Sequence, residues 1–140
     1  RLDEVDIHDP LIIGENSNIQ DCAVVHSTTT KIGSRVIVAH QAVVHGAVLE
    51  DDVTVYIQAT VDGNGTVIGK GSFLHQGSYV GKGVNVPENS YVAPGQKVMC
   101  QEQADALPPV PESLKRIHEN VMAHNREHCV NHLALKHLNQ

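Results

Sequence analysis

Residues 68–98 read IGKGSFLHQGSYVGKGVNVPENSYVAPGQKV, and an aliphatic residue occupies every sixth position of this stretch. The same period extends back to Ile13, with changes of phase by one residue after Val25, Val44 and Val61. A period of six fits neither a helix, which repeats every 3.6 residues, nor a strand, which alternates every two. The pattern predicts an all-β fold, a parallel β-helix in which each hexapeptide forms one strand and one corner of a triangular coil.

The hexapeptide period ends near residue 100 and defines three parts of the chain. We expect the β-helix to span residues 1–100. Residues 101–112 include the proline-rich segment Leu107–Pro111 and are predicted to be a linker, with a helical turn over 101–106. Residues 113–140 carry apolar side chains at helical spacing. We expect a C-terminal α-helix there, packed on the β-helix or on a neighbouring subunit.

Composition excludes several classes of partner. The 140-residue chain has a formal net charge of −6 and only 3% aromatic residues, which argues against a nucleic-acid partner. No apolar run is long enough to span a membrane. Three widely spaced cysteines give no disulfide framework and favour a reducing, cytoplasmic location. The chain begins at Arg1 rather than at Met, so the sequence leaves open a lost upstream segment.

The repeat places three histidines. His26 directly follows the inward-facing Val25, and His45 follows Val44 in the equivalent position one coil later. The two imidazoles are therefore expected to stack on one face, close enough to share a metal ion. His40 belongs to another face and does not easily reach that ion within one chain, but it can do so if a three-fold axis brings a second subunit alongside. The geometry then predicts three equivalent His₃ sites between subunits, each with an open coordination position.

Other histidines have simpler interpretations. An outward-facing histidine is most often a surface residue, and ten histidines make chance pairs common. His75 also follows an aliphatic residue but has no stacked partner, so we interpret it as a non-ligand. His124, His128 and His132 recur every four residues on one side of the predicted helix. That spacing can bind metal, but a solvated polar face is the favoured interpretation.

Two segments resemble the histidine-bearing motifs of the γ-class carbonic anhydrases. They are SNIQDCAVVH at residues 17–26 and AHQAVVHG at residues 39–46. The segment Arg1-Leu-Asp-Glu4 is similar to an Arg-x-Asp-Glu segment of that family, and residues 91–95 and 101–108 resemble the end of its coil and its linker. The resemblance implies a homotrimeric, left-handed β-helix with zinc, or ferrous iron or cobalt, between subunits. His26 and His45 would then come from one chain and His40 from its neighbour.

The resemblance also implies roles for residues around the metal. Those matched to catalytic positions are Glu4, Asn18, Gln20 and Asn131, and those matched to an interfacial ion pair are Arg1 and Asp21. Gln20 and Asn18 would hydrogen-bond the metal-bound water. For Asn18 and Asp21 the alternative is corner capping, because short polar side chains readily bond their own backbone in turns.

The chain departs from the family in two places. Residues 27–30, Ser-Thr-Thr-Thr, replace a long acidic loop that bears a proton-shuttling glutamate. Glu4 is then the candidate relay, and we expect proton export to limit turnover. The family also usually begins one or more coils before the Arg-x-Asp-Glu segment, at which this chain starts.

The sequence is compatible with three functions. The favoured one is a carbonate dehydratase, a lyase in which a metal-bound hydroxide hydrates CO₂ reversibly to bicarbonate. The second is a weakly active or inactive scaffold, because several γ-class homologues serve as assembly parts. The third is a hexapeptide acyltransferase or CoA-ester hydrolase, which would share the coil but use a histidine free of metal.

Overall fold

The computed structural model describes residues 11–26 and 29–138, with side chains up to residue 135. Within these residues, fifteen short strands form three parallel sheets of five strands each. Successive strands lie on successive sheets, so the chain winds as a three-sided parallel β-helix. The hexapeptide period predicted this architecture.

Each sheet is one face of the β-helix. The first face contains β1 (Ile12–Ile13), β4 (Lys31–Ile32), β7 (Val48–Leu49), β10 (Val67–Ile68) and β13 (Asn85–Val86). The second face contains β2 (Asn18–Ile19), β5 (Ile37–Val38), β8 (Thr54–Val55), β11 (Phe73–Leu74) and β14 (Tyr91–Val92). The third face contains β3 (Val24–His26), β6 (Val43–His45), β9 (Thr60–Asp62), β12 (Tyr79–Val80) and β15 (Lys97–Val98).

The phase changes of the repeat are absorbed in the corners and not in the strands. On the first face, aliphatic residues pair in register although their sequence separations differ. This column comprises Ile13, Ile32, Leu49, Ile68 and Val86. The aliphatic side chains therefore stack along the axis on every coil, as a dry core requires.

Most corners turn on the third residue after an inward-facing aliphatic. Arg35, Gln41 and Asp52 occupy such positions and have φ angles of 56°, 59° and 61°. The corners after Val44 and Val61 instead have positive φ at the second residue, Gly46 and Gly63. The glycine directly after the aliphatic has another role. A Cβ on Gly33 would lie 2.8 Å from the backbone nitrogen of Asp51 in the next coil, so this position needs glycine for close approach between coils.

The core is the column of side chains inside the three faces. Many inward-facing aliphatic residues are fully buried, among them Val38, Val44, Val55, Val61, Ile68, Leu74, Val80, Val92 and Val98. Ile13 and Ile19 belong to the first described coil and remain 45% and 37% exposed. Burial therefore increases from the first described coil into the middle of the β-helix.

Helix α1 (Gln101–Asp105) closes the far end of the coil. Ala104 is fully buried against the core. The side-chain amide of Gln101 donates to the carbonyl of Asn85 at 2.7 Å and accepts from its backbone N–H at 2.9 Å. Gln101 thus supplies the hydrogen bonds that a further strand would otherwise provide to β13.

Helix α2 (Glu112–Leu138) runs back along the second face from β11 towards β2. The chain reaches it through backbone bonds from Tyr91 N–H to Pro108 at 2.8 Å and from Val110 N–H to Asn89 at 2.9 Å. Leu114 and Val110 then pack on Phe73. The helix begins at Glu112, one residue earlier than predicted, because the Pro111 carbonyl accepts the first helical hydrogen bonds. Neither helix of the described chain has the length and hydropathy needed to cross a membrane.

His118 joins α2 to the coil. Its Nδ1 lies 2.7 Å from the Oγ1 of Thr54, a residue of β8 that is 1% exposed. Burial lowers the pKa of His118, against the opposing charges of Asp52 and Glu119. The neutral imidazole is therefore the form that the docked helix favours.

Replacing a core aliphatic is expected to destabilise the coil strongly. Leu74→Ala removes a fully buried side chain and should lower the free energy of unfolding by about 2–5 kcal/mol. The matched control Leu133→Ala makes the same chemical change at a site that is 58% exposed, and should cost less than about 0.5 kcal/mol. Denaturant unfolding of both variants measures the difference, and equal losses would contradict this core assignment.

Acidification is expected to weaken the docking of α2. The unfolded chain protonates His118 near the ordinary pKa of about 6.5, whereas the folded protein resists protonation. The contribution of neutral His118 to the free energy of unfolding should therefore be fully present above that pH and should decline as the pH falls through it. Unfolding curves about 1 pH unit above and below 6.5 measure the decline. His118→Gln should show a smaller decline than the wild type, and an equal one would refute the assignment.

Candidate metal centre

The third face brings His26 and His45 together, as their 19-residue spacing predicts. The two residues are directly paired between β3 and β6. Their rings stack with centroids 5.2 Å apart and planes inclined by 20°. Both side chains are exposed on the outside of the coil. Two imidazoles in this arrangement can ligate one ion through a nitrogen of each ring.

The backbone around the two histidines is held by buried hydroxyl and amide groups. The hydroxyl of Thr30, which is fully buried, donates to the carbonyl of His26 and accepts from the N–H of Gly46 at 2.9 Å. Gly46 has a φ of +66°, and a Cβ there would meet Asn64 Oδ1. Glycine at position 46 therefore lets the chain turn directly after His45 while leaving room for the Asn64 side chain.

A carboxylate and a phenol extend the histidine pair along the same face. Asp62 pairs with His45 between β6 and β9, and its Oδ1 lies 3.3 Å from His45 Nδ1. Tyr79 donates its hydroxyl to Asp62 Oδ2 at 3.0 Å. Hydrogen bonds from His45 and then Tyr79 lower the pKa of the Asp62 carboxyl, and the same contact raises the pKa of Tyr79.

His40 lies elsewhere. It is exposed at the corner after β5, and its carbonyl accepts from the N–H of Gln58 at 3.0 Å. Its side chain lines a cavity between the second face and α2, away from the His26–His45 pair. Among the residues that the structure describes, no group of three histidine, cysteine, aspartate or glutamate side chains is placed to hold one metal ion. The histidine triad is therefore not assembled within this single chain.

The cavity beside His40 has a volume of about 630 Å³ and a mixed lining. Residues from both the coil and the helix contribute polar groups: Asn18, Gln20, Asp21, His40, His118, His124, Asn125 and His128. Apolar side chains also line it, including Ile37, Ile57 and Val121. The cavity can therefore contact both apolar and polar groups of a small molecule.

Two asparagines in this cavity have unused hydrogen-bonding capacity. Asn18 Oδ1 and Asn125 Nδ2 are buried and have no hydrogen-bond partner among the described residues. Asn18 Oδ1 can accept and Asn125 Nδ2 can donate, so these groups suit a ligand that does both, such as water or an oxyanion that carries a hydroxyl. Because Asn18 Oδ1 is unpartnered, that oxygen does not serve as a corner cap.

The remaining residues that the sequence predicts for the site do not all lie in this cavity. Asp21 is exposed at the edge of the cavity, and its carbonyl accepts from Gln41 N–H at 3.1 Å. Asn131 is exposed on α2 and is not among the residues that line the cavity beside His40. Arg1 and Glu4 lie outside the described residues, so their predicted roles stay predictions.

Three histidines outside the predicted triad make ring contacts. His75 packs among Tyr56, Phe73 and Tyr91, with ring centroids 5.4–6.1 Å away, and burial lowers its pKa. His124 and His128 are exposed and stacked, with centroids 6.5 Å apart, yet they also line the cavity beside His40.

Sequence reasoning missed Asp62 and Asn125, although a signal existed for each. Asp62 follows the inward-facing Val61 just as His45 follows Val44, so the rule that paired the histidines also reaches the carboxylate. Asn125 continues the helical spacing of Val121 onto the face that meets the coil.

Comparison with known proteins gives curated relatives of two kinds. A probable carbonic anhydrase from Methanocaldococcus jannaschii is 50% identical over 56 residues, which cover 38% of this chain and 35% of that protein. A carbonic anhydrase from Methanosarcina thermophila is 31% identical over 138 residues, covering 79% of this chain and 53% of that protein. The carboxysome assembly protein CcmM of Synechococcus elongatus is 33% identical over 115 residues, or 72% of this chain and 21% of that protein.

A solved structure supports the fold. A hexapeptide transferase family protein from Anaplasma phagocytophilum superposes with a TM-score of 0.65 and 28% identity, covering 82% of this chain and 67% of that one. No family model matches the chain. The chain spans about half, or less, of the length of the curated relatives described above.

Proposed function

Because the chain is a hexapeptide-repeat protein of the γ-carbonic-anhydrase type, we propose that it interconverts CO₂ and bicarbonate at a metal site between the subunits of a homotrimer. The observation behind this proposal is the division of the three histidines. His26 and His45 stack on the third face, while His40 lies apart at a corner beside the second face. A cyclic trimer would let the pair of one chain meet the single histidine of the next.

The donor set fits a divalent transition metal. Three neutral imidazoles suit zinc, ferrous iron or cobalt and leave a coordination position open. When bound, such an ion lowers the pKa of a coordinated water to near 7 and thereby supplies a nucleophile for CO₂ at neutral pH. His26 and His45 would hold the ion from one subunit, and His40 from its neighbour.

The lining of the cavity beside His40 supports this proposal. Its apolar lining, including Ile37 and Val121, suits a nonpolar gas. Asn18 and Asn125, with their unused acceptor and donor, can orient water and bind bicarbonate. Gln20 lines the same cavity and is half-buried. These amides cannot titrate, so they bind and orient without competing for the proton.

A second candidate function is assembly. Its support is the relative CcmM, whose name describes a carboxysome assembly protein and which is 33% identical over 72% of this chain. A chain of this type would keep the trimer and the histidines but lack useful turnover. For either function we infer a cytoplasmic location, since Cys22, Cys100 and Cys129 are free and exposed.

Metal content and CO₂ hydration should depend together on His40. Purified anaerobically, the wild type should hold about one metal ion per chain, because a cyclic trimer has one interface per subunit. His40→Ala should lose that metal and reduce hydration, measured by stopped flow, by more than about 100-fold. His132→Ala, which changes an exposed histidine of α2, should leave both unchanged.

The outcomes separate the candidates. Metal retained in His40→Ala at the wild-type level would refute the shared site. Metal bound by the wild type without hydration would favour the assembly function. A wild type without metal would exclude the anhydrase, and acyl-CoA binding would be tested next.

Mixed trimers should rebuild the site from two defective chains. His40→Ala supplies His26 and His45, and His45→Ala supplies His40, so neither variant alone should bind metal. In randomly mixed trimers about one quarter of the interfaces combine the intact halves, and metal should return to about that fraction of the wild-type level.

A matched mixture provides the control. His26→Ala and His45→Ala each lack one member of the same stacked pair, so no interface between them can be complete. Metal binding in this mixture, or none in the first, would contradict a site composed of a pair from one chain and His40 from another.

A further inference from the structure

The row of outward-facing side chains on the third face continues past the histidine pair. His26, His45 and Asp62 are in register on consecutive coils, and Tyr79 lies on the coil after Asp62. The contacts run from His45 Nδ1 to Asp62 Oδ1 at 3.3 Å and from the Tyr79 hydroxyl to Asp62 Oδ2 at 3.0 Å. Both carboxylate oxygens are thus occupied, one by the ring and one by the phenol.

This contact determines which nitrogen of His45 is free. An ionised carboxylate only accepts hydrogen bonds, so the nitrogen facing it must carry the proton. In a neutral imidazole the other nitrogen then has the lone pair. The proton of His45 therefore belongs on Nδ1, and Nε2 is available as a ligand.

We propose that Asp62 is the positioning residue of the metal site, holding His45 in the tautomer and ring orientation in which Nε2 meets the ion, while Tyr79 holds the carboxylate. The inference rests on the proposed function. Carboxylates that orient metal-ligating histidines typically affect metal affinity by 10–100-fold.

The backbone makes this arrangement rigid. Gly63 N–H donates to the carbonyl of His45 at 2.7 Å, and the buried hydroxyl of Thr66 donates to the carbonyl of Asp62 at 3.1 Å. Neighbouring coils thus fix the spacing between His45 and Asp62 before any metal binds. His26 differs, because its ring has no hydrogen-bonded carboxylate within the part of the chain that the structure describes.

A simple surface ion pair is the competing explanation of the contact. The side chains of His45 and Asp62 are 46% and 44% exposed, and such exposed pairs contribute little to stability. The two explanations predict different effects of removing the contact. An ion pair would affect only the stability of the protein, whereas a positioning residue affects zinc affinity and the tautomer of His45.

The decisive variant is Asp62→Asn in the full chain. Zinc affinity, measured by competition with a chromophoric chelator, should fall by about 10–100-fold relative to the wild type. Tyr79→Phe should lower it in the same direction by less, because the carboxylate remains. Asp62→Glu, which keeps the carboxylate, should retain more affinity than Asp62→Asn.

The matched control is Asp52→Asn. Asp52 pairs with Arg35 across adjacent coils at the same 17-residue separation as Asp62 and His45, but away from the histidine pair. Removing the Asp52 carboxylate should leave zinc affinity unchanged. Nitrogen-15 NMR of the metal-free protein gives a second readout, in which His45 should be protonated at Nδ1 in the wild type and become a mixture of tautomers in Asp62→Asn.

The outcomes distinguish this inference from the proposed function. If the wild type binds zinc and Asp62→Asn binds it equally well, the inference is wrong and the anhydrase proposal stands. A fall in affinity equal to that of Asp52→Asn would also overturn it. If the wild type binds no zinc, both fail, and the NMR spectrum then reports only whether the His45–Asp62 contact exists.

Discussion

Backbone hydrogen bonding between coils is the constraint on which the structure depends. Each two- or three-residue strand is too short to be stable alone, so it forms only in register with the strands of the adjacent coils. Aliphatic residues inside the coil enforce that register, because a slip by one residue would turn them outward. The residue that follows each aliphatic is consequently fixed on the outside. This is how Val25 and Val44 place His26 and His45 over one another.

The fold and the histidine pair were predictable because both follow from this single period. Counting in sixes located the strands, and the same offset from Val25 and Val44 predicted stacked imidazoles. The separate position of His40 followed from its place in the middle hexapeptide. Its meeting with a histidine pair requires a second subunit, so the triad remains a prediction.

Features that depend on contact between distant segments were harder to predict from the sequence. The period ends near residue 100, so it gives no position for α2 relative to the three faces. Leu114 docks on Phe73, and His118 meets Thr54, through side-chain fit that a single sequence does not encode in any short pattern. The polar cavity between Asn18 and Asn125 follows from that docking. Asp62 follows Val61 just as His45 follows Val44, so its place beside His45 was predictable from the repeat.

The side chains of the third-face site lie on consecutive coils. Insertions of whole coils and deletions of single residues should therefore affect the site differently. His26, His45, Asp62 and Tyr79 all lie between β3 and β12, and each coil is hydrogen-bonded only to its immediate neighbours. Duplicating a complete coil beyond β12 would lengthen the molecule and leave these side chains where they are. Losing one residue inside β6 would instead rotate His45 towards the core. Growth by whole coils beyond β12 thus leaves the third-face row unchanged, whereas a single-residue deletion can abolish that row without shortening the molecule appreciably.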